Sequence, residues 1–139
     1  MNLQKTAFLK LRLVMAFIFL WAFLDKLFGL GFATTRDHAW VNGGSPTTGF
    51  LSLGTHGPLA PLFQSLAGVA VVDWLFMLGL LGVGLSLALN KWMRWGSLAG
   101  IILMLLMWLA TFPPVNNPIV DDHIVYALVL FILARKNHS

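Results

Sequence analysis

Residues 69–112 read VAVVDWLFMLGLLGVGLSLAL (69–89), NKWMRW (90–95) and GSLAGIILMLLMWLATF (96–112). Two apolar runs flank a short turn that holds two bases and two tryptophans. At about 1.5 Å of rise per residue, each run approaches the roughly 30 Å of a bilayer's hydrocarbon core. Lys91 and Arg94 beside Trp92 and Trp95 suit a membrane–water interface, where cations meet headgroups and indoles straddle the boundary. Pro113 and Pro114 then stop the second run, because proline lacks the amide hydrogen that a helix needs. This is a transmembrane hairpin, and it sets the fold class of the chain: all-α and integral to a membrane.

Working outward, two further apolar runs fall at about residues 8–31 and 119–136. With spans at about 69–89 and 94–112 they predict a four-transmembrane-helix bundle in one domain of 139 residues. A long connection, about 32–68, follows the first span. Composition agrees: hydrophobic residues make up 58% and charged residues only 10%, where soluble domains carry about a quarter charged. Mean hydropathy is +0.82. The basic start and Gly31/Ala33 also suit a secretory signal, but the apolar run is too long for one, so retention as a first span is expected.

The charges divide by end. In a four-span arrangement Lys5, Lys10, Arg12, Lys91, Arg94, Arg135 and Lys136 share one side. Asp25, Asp37, Asp73, Asp121 and Asp122 share the other, with Lys26 and Arg36. The positive-inside rule puts both termini in the cytoplasm of a multi-pass cell-membrane protein. The net charge of +4 is thus a topology signal and gives no reason to expect nucleic acid. Cysteine is absent, which removes thiolate nucleophiles, cysteine-ligated iron–sulfur clusters and CxxCH haem attachment. No flavin motif and no metal-ligand spacing is evident. Gly96 and Gly100 form GxxxG, and Gly79, Gly82, Gly84 and Ala88 also offer small surfaces for close helix approach.

The acids bear on function through their depth. Asp25 lies thirteen residues beyond Arg12, and Asp122 thirteen before Arg135, so both stand roughly 20 Å above the basic boundary. A charge inside the bilayer costs on the order of 2.5–3.5 kcal/mol at its centre, which favours turning these groups toward partners or water. Asp25 and Lys26 are about 100° apart on their helix, so Lys26 is expected to reach an acid on another helix, Asp122 being the natural candidate. Tyr126 shares the face of Asp122 and His123. The plainer reading of Asp121 and Asp122 is helix capping at an N-terminus. Asp25 has no such role available, since it lies late in its helix, and Asp73 is expected to be peripheral.

A polar pocket in the outward half follows, with Asp25, Lys26, Asp122 and His123 as candidate catalytic groups. Candidate ligand contacts are Trp21, Arg36, Trp40 and Asn42 on one side of the fold. Asp73, Asn117, Asp121 and Tyr126 complete the set. In the connection, Thr34 to Asp37 fits a capping box, NGGSP is turn chemistry, and APLFQSLAG reads as a short amphipathic element. The connection is either a cap or a lid that turns Trp40 and Arg36 inward.

LRLVMAFIFLWAFLDKLFGLGF, WVNGGSPTTGFL, HGPLAPLFQSLAG, VVDWLFMLGLLGVGLSLAL and PPVNNPIVDDHIVYALVLF resemble the DoxX/DoxD family. The closest likeness is to the branch named for the membrane large subunit of thiosulfate:quinone oxidoreductase. The resemblance covers about residues 8–134. It implies a four-helix membrane subunit that passes electrons from thiosulfate to quinone, together with a small partner subunit or other membrane subunits. On that footing a quinone head group would lie near Lys26 and His123, with Asp25 or Asp122 relaying protons and Trp21, Trp40 or Tyr126 packing on the ring. Thiosulfate would need Lys26 and Arg36, against the repulsion of five acids on the same side. The competing class is a non-catalytic accessory subunit of a larger respiratory or redox complex.

Overall fold

The computed structural model describes residues 2–138, with side-chain surroundings for 2–136. The described residues are helical with no strand. Four long helices, α1 (Leu3–Phe28), α3 (Ala70–Leu89), α4 (Met93–Ala110) and α5 (Asp122–His138), are joined by a connection that carries the short α2 (Ala60–Gln64). Helices α1, α3 and α4 are long and apolar enough to cross a membrane. The chain is therefore built as a membrane protein.

Each long helix starts and stops for a local reason. Asn2 caps α1, its Oδ1 accepting the Gln4 amide at 2.7 Å. Gly29 ends it at φ 69°, its amide donating to the Asp25 carbonyl at 2.8 Å. The expected span, 8–31, is thus shifted toward the N-terminus. A Cβ on Gly29 would lie 2.5 Å from Arg36 Cα, so the connection crosses directly over the helix end. Asn90 and Trp92, both at positive φ, turn α3 into α4. Before α5, Asn117 Oδ1 accepts the amides of Ile119 at 2.9 Å and Val120 at 2.6 Å, while its Nδ2 donates to the Val120 carbonyl at 2.6 Å. That turn delays α5 to residue 122, past the expected start at 119.

Side-chain contacts fix an antiparallel order. Arg12 meets the carbonyls of Leu87 and Ala88, Leu20 meets Gly84, and Lys26 meets Phe76, so α1 and α3 run in opposite directions. Gly96 abuts Ser86, and Gly100 abuts Val83 and Leu130. The Trp108 indole donates to the Ile119 carbonyl at 2.6 Å. The pair Gly96 and Gly100 is thus an internal interface joining α4 to both its neighbours, while Gly79 and Gly82 face open space. Met15, Phe19, Met77, Val83, Leu87 and Leu130 belong to the buried core between these helices. This order gathers the N-terminus of α1, the α3–α4 turn and the C-terminus of α5 at one end, with their seven bases. All five aspartates lie toward the other.

Inside α4, Ser97 is 1% exposed, and its hydroxyl is the one fully buried side-chain polar atom without a hydrogen-bond partner among the described residues. Removing an unsatisfied buried hydroxyl removes its desolvation cost. Ser97→Ala is expected to be stabilising by up to about 1 kcal/mol, read as a higher unfolding midpoint in micelles. A clear loss of stability would mean that the hydroxyl has a partner.

Candidate functional site

The acidic end is where the candidate residues lie, and most of them have structural work there. Asp25 is 1% exposed. Its carboxylate accepts the amide of Phe32 at 3.2 Å on Oδ1 and that of Ala33 at 2.7 Å on Oδ2. The chain reverses at Gly29 and brings those amides back over the helix end. The expectation that Asp25 has no capping role is corrected by this geometry: it caps the turn that follows its helix.

Lys26 points elsewhere, as the 100° step requires. It is half-buried, and its Nζ lies 5.9 Å from the centre of the Phe76 ring on α3. The expected pairing with Asp122 is not formed. Among the described residues, carboxylates lie within ion-pair distance of a basic side chain at Asp37 beside His38 and at Asp121 beside His123. The physical reason is packing: α1 lies along α3 and α5 along α4, so Phe76 is the neighbour that Lys26 meets. Asp122 is exposed.

Asp73, in the first turn of α3, is 9% exposed, and its Oδ1 accepts the hydroxyls of Ser45 at 2.7 Å and Thr47 at 2.6 Å. Ser45 Oγ in turn accepts the Thr48 hydroxyl at 2.7 Å, and Thr48 Oγ1 accepts the Gly68 amide at 3.1 Å. The first turn of α3 is therefore fastened to two parts of the connection. Sequence reasoning passed over Ser45 and Thr47. The signal available was a hydroxyl-rich SPTT run facing an otherwise unpaired acid.

The connection is ordered by further contacts. Arg36–His38 and Trp40–Asn42 form single 3₁₀ turns. The expected capping box from Thr34 is not made: the residue before the first turn is Thr35, whose hydroxyl pairs with His38 Nδ1 at 2.8 Å. Hydrogen bonding from the Thr35 side chain, with smaller contributions from its own amide and from His38, holds the exposed Asp37 carboxyl below its ordinary range. Asn42 Nδ2 donates to the Arg36 carbonyl at 2.7 Å. Trp40 turns inward against the core and meets Trp74 edge-on at 4.7 Å, but Arg36 is exposed, so only one of the pair expected to face inward does. His56 donates its amide to the Ala110 carbonyl at 3.2 Å, and Gly57 sits so close to the Phe112 carbonyl that a Cβ would lie 1.8 Å away. The connection is thereby held to the end of α4 as well.

On α5, Asp121 Oδ1 accepts the His123 amide at 2.9 Å, and Oδ2 lies 3.0 Å from His123 Nδ1. This is an N-cap with a paired imidazole. Tyr126 packs against the core. Trp21 stacks on Phe17 at 5.8 Å and meets Phe32 edge-on at 5.1 Å. The structure thus joins Asp25 to the turn after α1, Asp73 to the connection and Asp121 to His123, but unites none of these with Lys26. Chemically, Lys26 is the one candidate with an ammonium that no hydrogen bond or ion pair among the described residues occupies. No protein-family model matches the chain, and no curated protein or solved structure matches it, so the family likeness rests on the motifs quoted from its sequence.

Proposed function

We propose that the chain is a four-span membrane subunit of a DoxX/DoxD-like redox system, in which Lys26 receives a carbonyl of a membrane quinone or the polar centre of a similar small ligand. Its termini lie in the cytoplasm and its connection outside. The observation that carries the reading is the half-buried Lys26 ammonium, which rests over an aromatic ring and makes no ion pair at contact distance among the described residues. A cation so placed favours an electron-rich oxygen entering from the lipid. At 17 residues α5 reaches about 25 Å, the short end of the range for an upright fourth span. The basic end supports the orientation through the positive-inside rule. Thiosulfate chemistry would fall to a partner subunit, since the outward aspartates repel a dianion.

The accessory reading is favoured by a different observation. Asp25, Asp73 and Asp121 each spend a carboxylate on holding the acidic end together, as in a cap that supports chemistry carried by another chain. Binding of a short-chain benzoquinone to the purified protein in nanodiscs, followed by tryptophan quenching, separates the two. Lys26→Met is expected to weaken binding by about tenfold or more, the size of one hydrogen bond to a charged group. Equal binding by both proteins, or none by the wild type, sinks the redox reading and leaves the accessory one.

A further inference from the structure

The part of the connection that leads into α3 has its apolar side chains turned outward. From His38 to Val72 the sequence holds no aspartate, glutamate, lysine or arginine, where a water-facing stretch of that length would carry several. Within it, one π-helical turn (Phe50–Gly54) and α2 form an arm, joined where Gln64 Nε2 donates to Thr55 Oγ1 at 3.4 Å. The arm buries Leu51, Thr55 and Ala60. Its exposed face carries Leu53 and Leu62, at 89% and 62%, with Leu59 and Leu66 beside them in the chain. The polar side chains exposed with these leucines are Ser52, His56, Gln64 and Ser65.

Two attachments set the height of the arm. Thr48 Oγ1 accepts the Gly68 amide at 3.1 Å, which closes the base of the arm beside the start of α3. One turn into that helix stands Trp74, exposed, an indole of the kind that marks a membrane boundary. On the other side the His56 amide donates to the Ala110 carbonyl at 3.2 Å, and Gly57 packs on the Phe112 carbonyl. Ala110 ends α4, whose 18 residues rise about 27 Å, close to the roughly 30 Å of a hydrocarbon core. The arm is therefore held where acyl chains give way to headgroups.

Its exposed face also continues a surface that lipid covers. Leu66 and Val69 lead into Val71, Leu75 and Leu78, exposed at helical spacing along α3. A soluble partner's interface would have a polar rim around its apolar centre. The exposed formal charges at this end, Arg36, Asp37 and Asp122, lie instead over α1 and at the start of α5.

We propose that the arm formed by residues 50–66 is embedded in the headgroup–acyl boundary of the leaflet at the acidic end, with Leu53, Leu59, Leu62 and Leu66 against lipid chains. It anchors the connection in the bilayer without crossing it. This placement is independent of Lys26 and of any redox role. Because the chain has no cysteine, single nitroxide labels on the full-length protein in phosphatidylcholine vesicles test it. Leu53→Cys, Leu62→Cys and Leu66→Cys are labelled one at a time, so that a variant that fails to fold leaves the others to decide. Leu128→Cys on the exposed face of α5 is the lipid reference, and Arg36→Cys is the water reference. Collisions with oxygen, which concentrates in lipid, are compared with those of a water-soluble nickel chelate. The arm labels are expected to favour oxygen, at a depth of roughly 5–10 Å below the headgroups, shallower than Leu128→Cys. Nickel access equal to that at Arg36→Cys would place the arm in water and overturn the proposal. Shielding of the arm labels from both reagents would mean that a second copy of the chain covers this face, and would overturn it equally.

Discussion

Asp25→Ala is expected to lower unfolding stability in micelles by about 3 kcal/mol or more. The carboxylate is buried and takes the amides of Phe32 and Ala33. Hydrogen bonds to a charged group contribute about 1.5–3 kcal/mol each, and the orphaned amides add their own cost. Asp25→Asn keeps the shape and one acceptor oxygen, so it should fall between alanine and wild type. Lys26→Met, one residue away, should leave stability nearly unchanged, because its ammonium makes no hydrogen bond or ion pair among the described residues and rests over the Phe76 ring, which a methionine can also cover. The pair of variants separates holding from binding. A proton relay at Asp25 would instead show as lost turnover in an Asp25→Asn protein of normal stability.

The second large effect is expected at the α3–α4 interface. A Cβ on Gly96 would stand 1.8 Å from Ser86 Oγ and 2.6 Å from Ser86 Cβ. The hydroxyl is tied to the Val83 carbonyl at 2.9 Å, and the Cβ is fixed to its helix, so neither can simply swing away. Gly96→Leu must therefore push the helices apart, and with them the contacts of Gly100 on Val83 and Leu130. Overpacking of this kind costs about 1–3 kcal/mol and sometimes more; the upper end is expected here because backbone approach is what joins helices in lipid. Unfolding by denaturant in micelles measures it. Adding Ser86→Gly to a Gly96→Ala protein should recover part of the loss, a non-additivity that marks direct contact. Purely additive losses would place the two residues apart.

How much of this could be read from the letters depends on range. Helices α3 and α4 were legible because hydropathy and the prolines after residue 112 act locally. The separation of bases from acids was legible because charge needs only topology, and Gly96 and Gly100 lie where small residues matter. The roles of Asp25 and Asp73 were not legible. Asp25 is satisfied by amides seven and eight residues later, and Asp73 by hydroxyls 26 and 28 residues earlier, across turns with no periodic signal. The helix dipole argued against an anion at Asp25, but the side chain reaches past its own helix end to the next turn. Even there a clue existed: Gly29 and Gly31 in LFGLGF mark a left-handed exit that doubles the chain back. The depth rule put Asp25 and Asp122 level, yet level groups meet only if their helices are neighbours along the same face.

Arg12 carries one more implication, for the order of events during synthesis. The oxygens it clasps belong to residues 75 and 76 positions downstream. At ribosomal speeds of about 5–20 residues per second, roughly 4–15 s pass before they exist. During that interval the guanidinium must rest among lipid phosphates and water at the membrane's edge. The first helix is therefore inserted early but seated late, and its final position is decided only when the end of the next long helix arrives to receive it.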